Sequence, residues 1–128
     1  MLEIKAVFDR PILAQYCHKS GCPLSDALYL YLAQNGDELL AAGLFEMRSD
    51  RVATMYYEAV GENQTDFFLF DGILRAGLNY AAEQGVETGC LPEPFRQANA
   101  AYFARLNYPP ETEMNIVNFF QKYKNCTI

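Results

Sequence analysis

The sequence predicts a single α+β domain, a mixed and mostly antiparallel sheet flanked by helices. Three observations carry that prediction. Residues 27–60 hold three runs rich in Tyr, Leu, Val and Ala, separated by turn residues, as an antiparallel meander requires. Residues 66–84 then repeat apolar side chains at helical spacing. A short apolar run and a second amphipathic stretch follow, and no repeat, low-complexity run or linker interrupts the 128 residues. A chain of that length buries roughly two-thirds of its unfolded surface around one core.

Taken in order, residues 2–7 set Leu2, Ile4 and Ala6 against Glu3 and Lys5, the alternation of an edge strand. Asp9 or Arg10 caps a short helix over residues 11–19, Pro11 suits its first turn and Gly21 lies just past its end. Residues 22–26 are a loop. Residues 27–34 form a second strand, and Asn35-Gly36 marks a hairpin, because both residues tolerate positive φ. Residues 39–47 are apolar on both faces apart from Glu46, so that strand lies centrally with cover on each side. Ser49-Asp50 turns the chain into a strand over residues 53–60. Residues 61–65 break it, with Thr65 or Asn63 as the expected N-cap of the long helix. From Asp66 onward Phe70, Ile73, Leu74, Leu78 and Ala81 form one stripe that includes Gly77, and Gly85 ends it. Residues 86–91 read as a short buried strand closed by Pro92 and Pro94. Phe95, Ala98, Tyr102 and Leu106 give one helix running through Arg105, stopped by Asn107 and the Pro109-Pro110 pair. A last strand falls on residues 112–116. Residues 117–124 read as a short helix from the spacing of Phe120 and Tyr123, or as a strand.

Composition excludes several classes of function. The net charge of −6 and pI near 4.7 argue against nucleic acid, whose binding needs clustered Lys and Arg. No apolar run reaches the roughly 20 residues of a membrane span. The first ten residues carry charges where a signal peptide needs an apolar core, which points to the cytoplasm. In that compartment Cys17, Cys22, Cys90 and Cys126 are expected reduced and packed. Cys17, His18 and Cys22 match no standard zinc spacing and lack an evident fourth ligand, so no metal is expected.

The order of helix, three-stranded meander, loop and long helix, strand, then helix resembles the GNAT family of acyl-CoA-dependent N-acyltransferases. Val60 is followed, at the family's spacing, by Gly72-Ile73-Leu74, Ala81 and Gly85. Phe103-Ala104-Arg105-Leu106-Asn107-Tyr108 is similar to the family's Tyr-x-x-Leu-Gly-Phe segment. The likeness covers residues 27–108 and implies a GNAT-like fold.

It also implies where cofactor chemistry would sit. In the family a Gln/Arg-x-x-Gly-x-Gly/Ala loop lets backbone N–H groups at a helix start approach the CoA pyrophosphate. After Val60, the Gln/Arg position falls on Thr65 and the glycine positions on Phe68 and Phe70, whose benzyl groups are expected in the space the pyrophosphate needs. Asp66 lies in the first helical turn, where its carboxylate satisfies the dipole a phosphate would use. Glu58, Glu62, Asp66 and Asp71 are expected to surround the loop, with Arg75 the nearest cation. The resemblance places the family's general-acid Tyr at Phe103 and its frequent Asn at Arg96, neither of which offers the same group. Tyr102 is adjacent to Phe103, about 100° round the helix. Glu58 reads first as a carboxylate at an exposed strand end, and it also stands where some members place a general base. If the protein is catalytic, Glu58 and Tyr102 are its candidates.

The run Phe67-Phe68-Leu69-Phe70 has three readings. Phe70 and one neighbour enter the core while the rest plug the cofactor cleft; part of the run stays exposed as a homodimer or partner surface; or the cleft takes a small apolar ligand. Tyr29, Tyr31, Tyr56 and Tyr57 could line such a pocket or be ordinary packing. The sequence therefore predicts a degenerate GNAT-fold protein, a non-catalytic binding or interaction module with no cofactor. The alternative is an N-acyltransferase that uses acetyl-CoA, acts on a small amine and holds its donor through a non-standard loop.

Overall fold

The protein is described here by a computed structural model over residues 1–108 and 111–122. Cys126 and the end of the last expected element lie outside the described residues. Strands β1 (Leu2–Val7), β2 (Leu28–Asn35), β3 (Glu38–Met47) and β4 (Val52–Ala59) form the antiparallel meander. β5 (Thr88–Cys90) joins β4 in parallel, β6 (Glu113–Asn115) returns antiparallel to β5, and the sheet runs in chain order from β1 to β6. Helix α1 (Arg10–Ser20) covers one face. Helix α2 (Phe67–Glu83) covers the other, with α3 (Glu93–Ala98), α4 (Ala100–Leu106) and α5 (Ile116–Lys122) packed into the same core.

The two faces of the sheet bury unequal cores. Against α1, Leu13, Tyr16 and Cys17 meet Leu28, Leu30, Ala42 and Leu44. Against α2, Phe70, Ile73, Leu74 and Leu78 meet Tyr29, Phe45, Val52 and Tyr57. The alternation of buried residues along β2 to both faces is what a covered central strand requires. Two glycines set how closely α2 lies on β3: a Cβ at Gly77 would strike the Phe45 ring, and one at Gly43 would strike Ile73. The Gly77 carbonyl accepts the Tyr29 hydroxyl at 2.6 Å.

The sequence places most elements to within a residue or two, and the structure corrects four details. The hairpin turn is Gly36-Asp37, because Asn35 still pairs with Glu38 and only Gly36 takes a positive φ, 64°. Residues 61–65 wind into a 3₁₀ turn instead of an open loop. The N-cap of α2 is Asp66, whose carboxylate accepts the Leu69 amide at 3.0 Å; Thr65 and Asn63 spend their side chains on Glu62 and Val60 carbonyls inside the 3₁₀ turn. The expected single helix over residues 95–106 is two, broken at Asn99 (φ −119°, ψ 26°), whose side-chain amide donates to the Phe95 carbonyl. The last element is a helix.

Candidate functional site

The site follows from a mismatch of strand lengths. β4 pairs with β5 only at Val52↔Gly89 and Ala53↔Cys90, because β5 ends at Cys90. The rest of β4 has no neighbour on that edge. A cleft of about 720 Å³ opens there between the end of β4, the 3₁₀ turn, the start of α2 and helix α4. That volume lies within the range of small-molecule sites. Tyr57, Phe67 and Tyr102 give it aromatic walls, Gln64 and Asn99 contribute amides, and Arg105 stands on the α4 side.

Each candidate residue has a definite place. Glu58 reaches the cleft from the α1 side of β4 with its side chain only 22% exposed, so it is not a free strand-end carboxylate. Lys19 Nζ donates to both of its oxygens at 3.0 and 3.1 Å, and the Tyr56 hydroxyl donates to one of them at 2.9 Å. Three of the roughly four hydrogen bonds a carboxylate can accept are thereby taken. Burial first, then the hydrogen bond to Glu58, pushes the Tyr56 hydroxyl up to about 12. Hydrogen bonding to Glu58 likewise raises Lys19 above the usual lysine value. Lys19 and Tyr56 therefore keep their protons through the neutral range.

Tyr102 stacks its ring on Phe70 at 4.5 Å and meets Tyr57 edge-on at 5.5 Å. Its hydroxyl donates to the Gln64 carbonyl, tying α4 to the 3₁₀ turn. Burial, then the charge of Asp66, raises its ionisation above the ordinary tyrosine value. Phe103 packs against Phe95 and Tyr108 and brings no proton donor. Arg96 pairs with Glu93.

The loop positions separate. Val60 is tied to the sheet through its amide on the Leu40 carbonyl, and Thr65 lines the cleft. Asp66 caps α2. The expectation that Phe68 and Phe70 fill the pyrophosphate space is corrected: Phe70 turns into the core at 1% exposure and Phe68 points outward at 47%. Successive helical side chains diverge by about 100°, so Phe67, not its neighbours, reaches the cleft. Asp71 does not surround the loop either, for it is fully buried and paired with Arg75. The cation at the cleft is therefore Arg105. Of the four tyrosines considered as lining, Tyr57 lines it, Tyr29 lies in the core with Tyr31 packed against the same cluster, and Tyr56 faces α1.

Two features escaped the sequence reading. Arg105 follows Tyr102 by one helical turn and lies over the Phe67 ring at 4.8 Å, a pairing visible only once α2 and α4 are adjacent. Tyr57 is 8% exposed and its buried hydroxyl has no hydrogen-bond partner among the described residues. Burial raises its ionisation well above the ordinary value. Cys17, Cys22 and Cys90 are free thiols. Among the described residues no cluster of His, Cys, Asp and Glu could hold a metal, and no helix is long and apolar enough to cross a membrane.

No protein-family model matches the chain, and no curated protein does. Solved structures do. The chain is similar to the ribosomal-protein-S18-alanine N-acetyltransferase from Escherichia coli, with a TM-score of 0.59 and 16% identity over 88% of this chain and 80% of that one. It is similar to the spermidine/spermine N-acetyltransferase SpeG from Vibrio cholerae, with a TM-score of 0.63 and 11% identity over 95% and 99%. It is also similar to the putative N-acetyltransferase YhhK from E. coli, determined bound to coenzyme A, with a TM-score of 0.58 and 16% identity over 90% and 98%. The chain has the GNAT superfamily fold.

Proposed function

We propose that this chain is a non-catalytic GNAT-fold binding module that has given up the CoA pyrophosphate and keeps the cleft for a smaller ligand. The observation that carries this reading is the Asp66 carboxylate on the Leu69 amide at the start of α2. That amide is one of the donors an anion would need, and the cap adds a negative charge beside it. Two like charges 4 Å apart repel by about 1 kcal/mol in bulk water and about 4 kcal/mol near a protein surface. The helix dipole offers an anion only about 0.3–1 kcal/mol in return. Repulsion wins, and Glu62 in the preceding turn adds to it. In the cytoplasmic setting the sequence suggests, the free thiols stay reduced.

A second reading, an N-acyltransferase that takes acetyl-CoA and a small amine, is favoured by one observation: Glu58 reaches the cleft from the sheet face opposite Tyr102. There it would act as base towards an amine entering from the α1 side. Calorimetric titration with acetyl-CoA and free CoA at low salt separates the two. The binding-module reading expects no saturable heat up to about millimolar concentration; one-site binding at micromolar concentration overturns it and puts the acyltransferase first.

A further inference from the structure

The chain has six arginines. Arg10, Arg48, Arg51, Arg75 and Arg96 each hold a carboxylate within ion-pair distance. Arg105 pairs with none among the described residues, although the protein carries 16 acidic side chains against 10 basic ones. It stands exposed on the wall of the cleft, with its guanidinium over the Phe67 ring at 4.8 Å. A guanidinium that holds no carboxylate of its own can receive one in bidentate fashion.

Beyond Arg105 the walls of the cleft are flat: the rings of Phe67 and Tyr102, and the small side chains of Ala59 and Ala101. One guanidinium balances one negative charge, and Glu58 and Asp66 nearby oppose any more.

We propose that the cleft binds a small organic monocarboxylate with a flat or apolar body, its carboxylate on Arg105 and its body against the rings of Phe67 and Tyr102. The proposal rests on the binding-module reading of this cleft.

The test uses two acids, 3-phenylpropionate and octanoate, each with its neutral primary amide, titrated into the full chain by calorimetry. The acids are expected to bind saturably and the amides about tenfold or more weaker, the worth of one charge-assisted hydrogen-bonded pair. Arg105→Gln is expected to abolish the acid–amide difference while leaving amide affinity alone, and a matching amide NMR spectrum shows that this variant is folded. Equal affinity of acid and amide, or an undiminished difference in Arg105→Gln, overturns the proposal. So does silence from both acids up to about 10 mM. Free CoA goes into the same sample: CoA binding overturns the reading beneath, whereas silence from CoA and acids together overturns only the carboxylate assignment.

Discussion

Asp71 is the fully buried carboxylate of this fold, and its partners fix the C-terminal part of the chain onto α2. Arg75 Nε lies 2.9 and 3.0 Å from its two oxygens, and the Tyr108 hydroxyl donates to it from beyond the end of α4. Arg75 in turn lies over the rings of Phe119 and Phe120. A buried carboxylate is tolerable only while it is paired, so the two partners are not equivalent to surface contacts. Tyr108→Phe, which keeps the ring and removes one donor, is expected to cost about 1–3 kcal/mol in urea unfolding. Asp71→Ala removes one member of a buried ion pair and is expected to cost about 3–5 kcal/mol. A loss below about 0.5 kcal/mol in Tyr108→Phe would show that the hydroxyl does no structural work, since ordinary surface changes fall in that range. The Asp71–Arg75 spacing is legible in the sequence as a helical i,i+4 pair, but its burial is not. The decisive partner is 37 residues away, and no local pattern links the two.

At the scale of elements, α2 is the part most fully legible, because its apolar stripe has one period and one stop signal. Its start was misread for a physical reason: Asn63, Thr65 and Asp66 are all competent caps, and the choice depends on whether the preceding residues coil. They do, which leaves Asp66 first in line for the Leu69 amide. The break at Asn99 is similarly invisible, since its side chain takes over a carbonyl bond that a continuous stripe of Phe95, Ala98 and Tyr102 gives no reason to suspect. Where α2 crosses β3, Gly77 lies against the Phe45 ring with no room for a methyl. Gly77→Ala should add about 1 kcal/mol of helix propensity. Overpacking against a buried ring costs about 1–3 kcal/mol, so the net change is expected to be destabilising. The urea midpoint checks it; a midpoint equal to or above that of the parent chain would mean that α2 slides off Phe45 freely, and that the close approach is not what seats it.

For the whole molecule, the antiparallel meander, the cover on both faces and the likeness to acyltransferases were all legible, because each rests on patterns local in sequence. The cleft was not, since it arises from how soon β4 and β5 part, and that depends on a strand of three residues. The molecule as a whole also has a property that no single element shows. Burial leads the rise in ionisation of Tyr16, Tyr29, Tyr31, Tyr56, Tyr57 and Tyr102 above the ordinary tyrosine value of 10.0. These rings are spread over α1, two strands and α4. An unfolded chain releases those protons near the ordinary value, while the folded chain keeps them. Above that point the unfolded state binds fewer protons, so stability falls as pH rises. The Lys19–Glu58 pair acts in the same sense, because a lysine raised in the fold loses its contribution on the alkaline side. Each deeply buried tyrosine contributes up to about 1.4 kcal/mol per pH unit, and the partly exposed ones less. The Cys17 and Cys90 thiols, raised by burial above their ordinary value of 9.0, act in the same sense and earlier. The urea midpoint is therefore expected to begin falling near pH 9 and to drop steeply by about pH 11, with the buried tyrosines' share of the tyrosinate absorbance appearing together with unfolding. Full tyrosinate absorbance reached while the near-ultraviolet dichroism stays native would mean that the aromatic core admits water and charge without opening, and would overturn the argument.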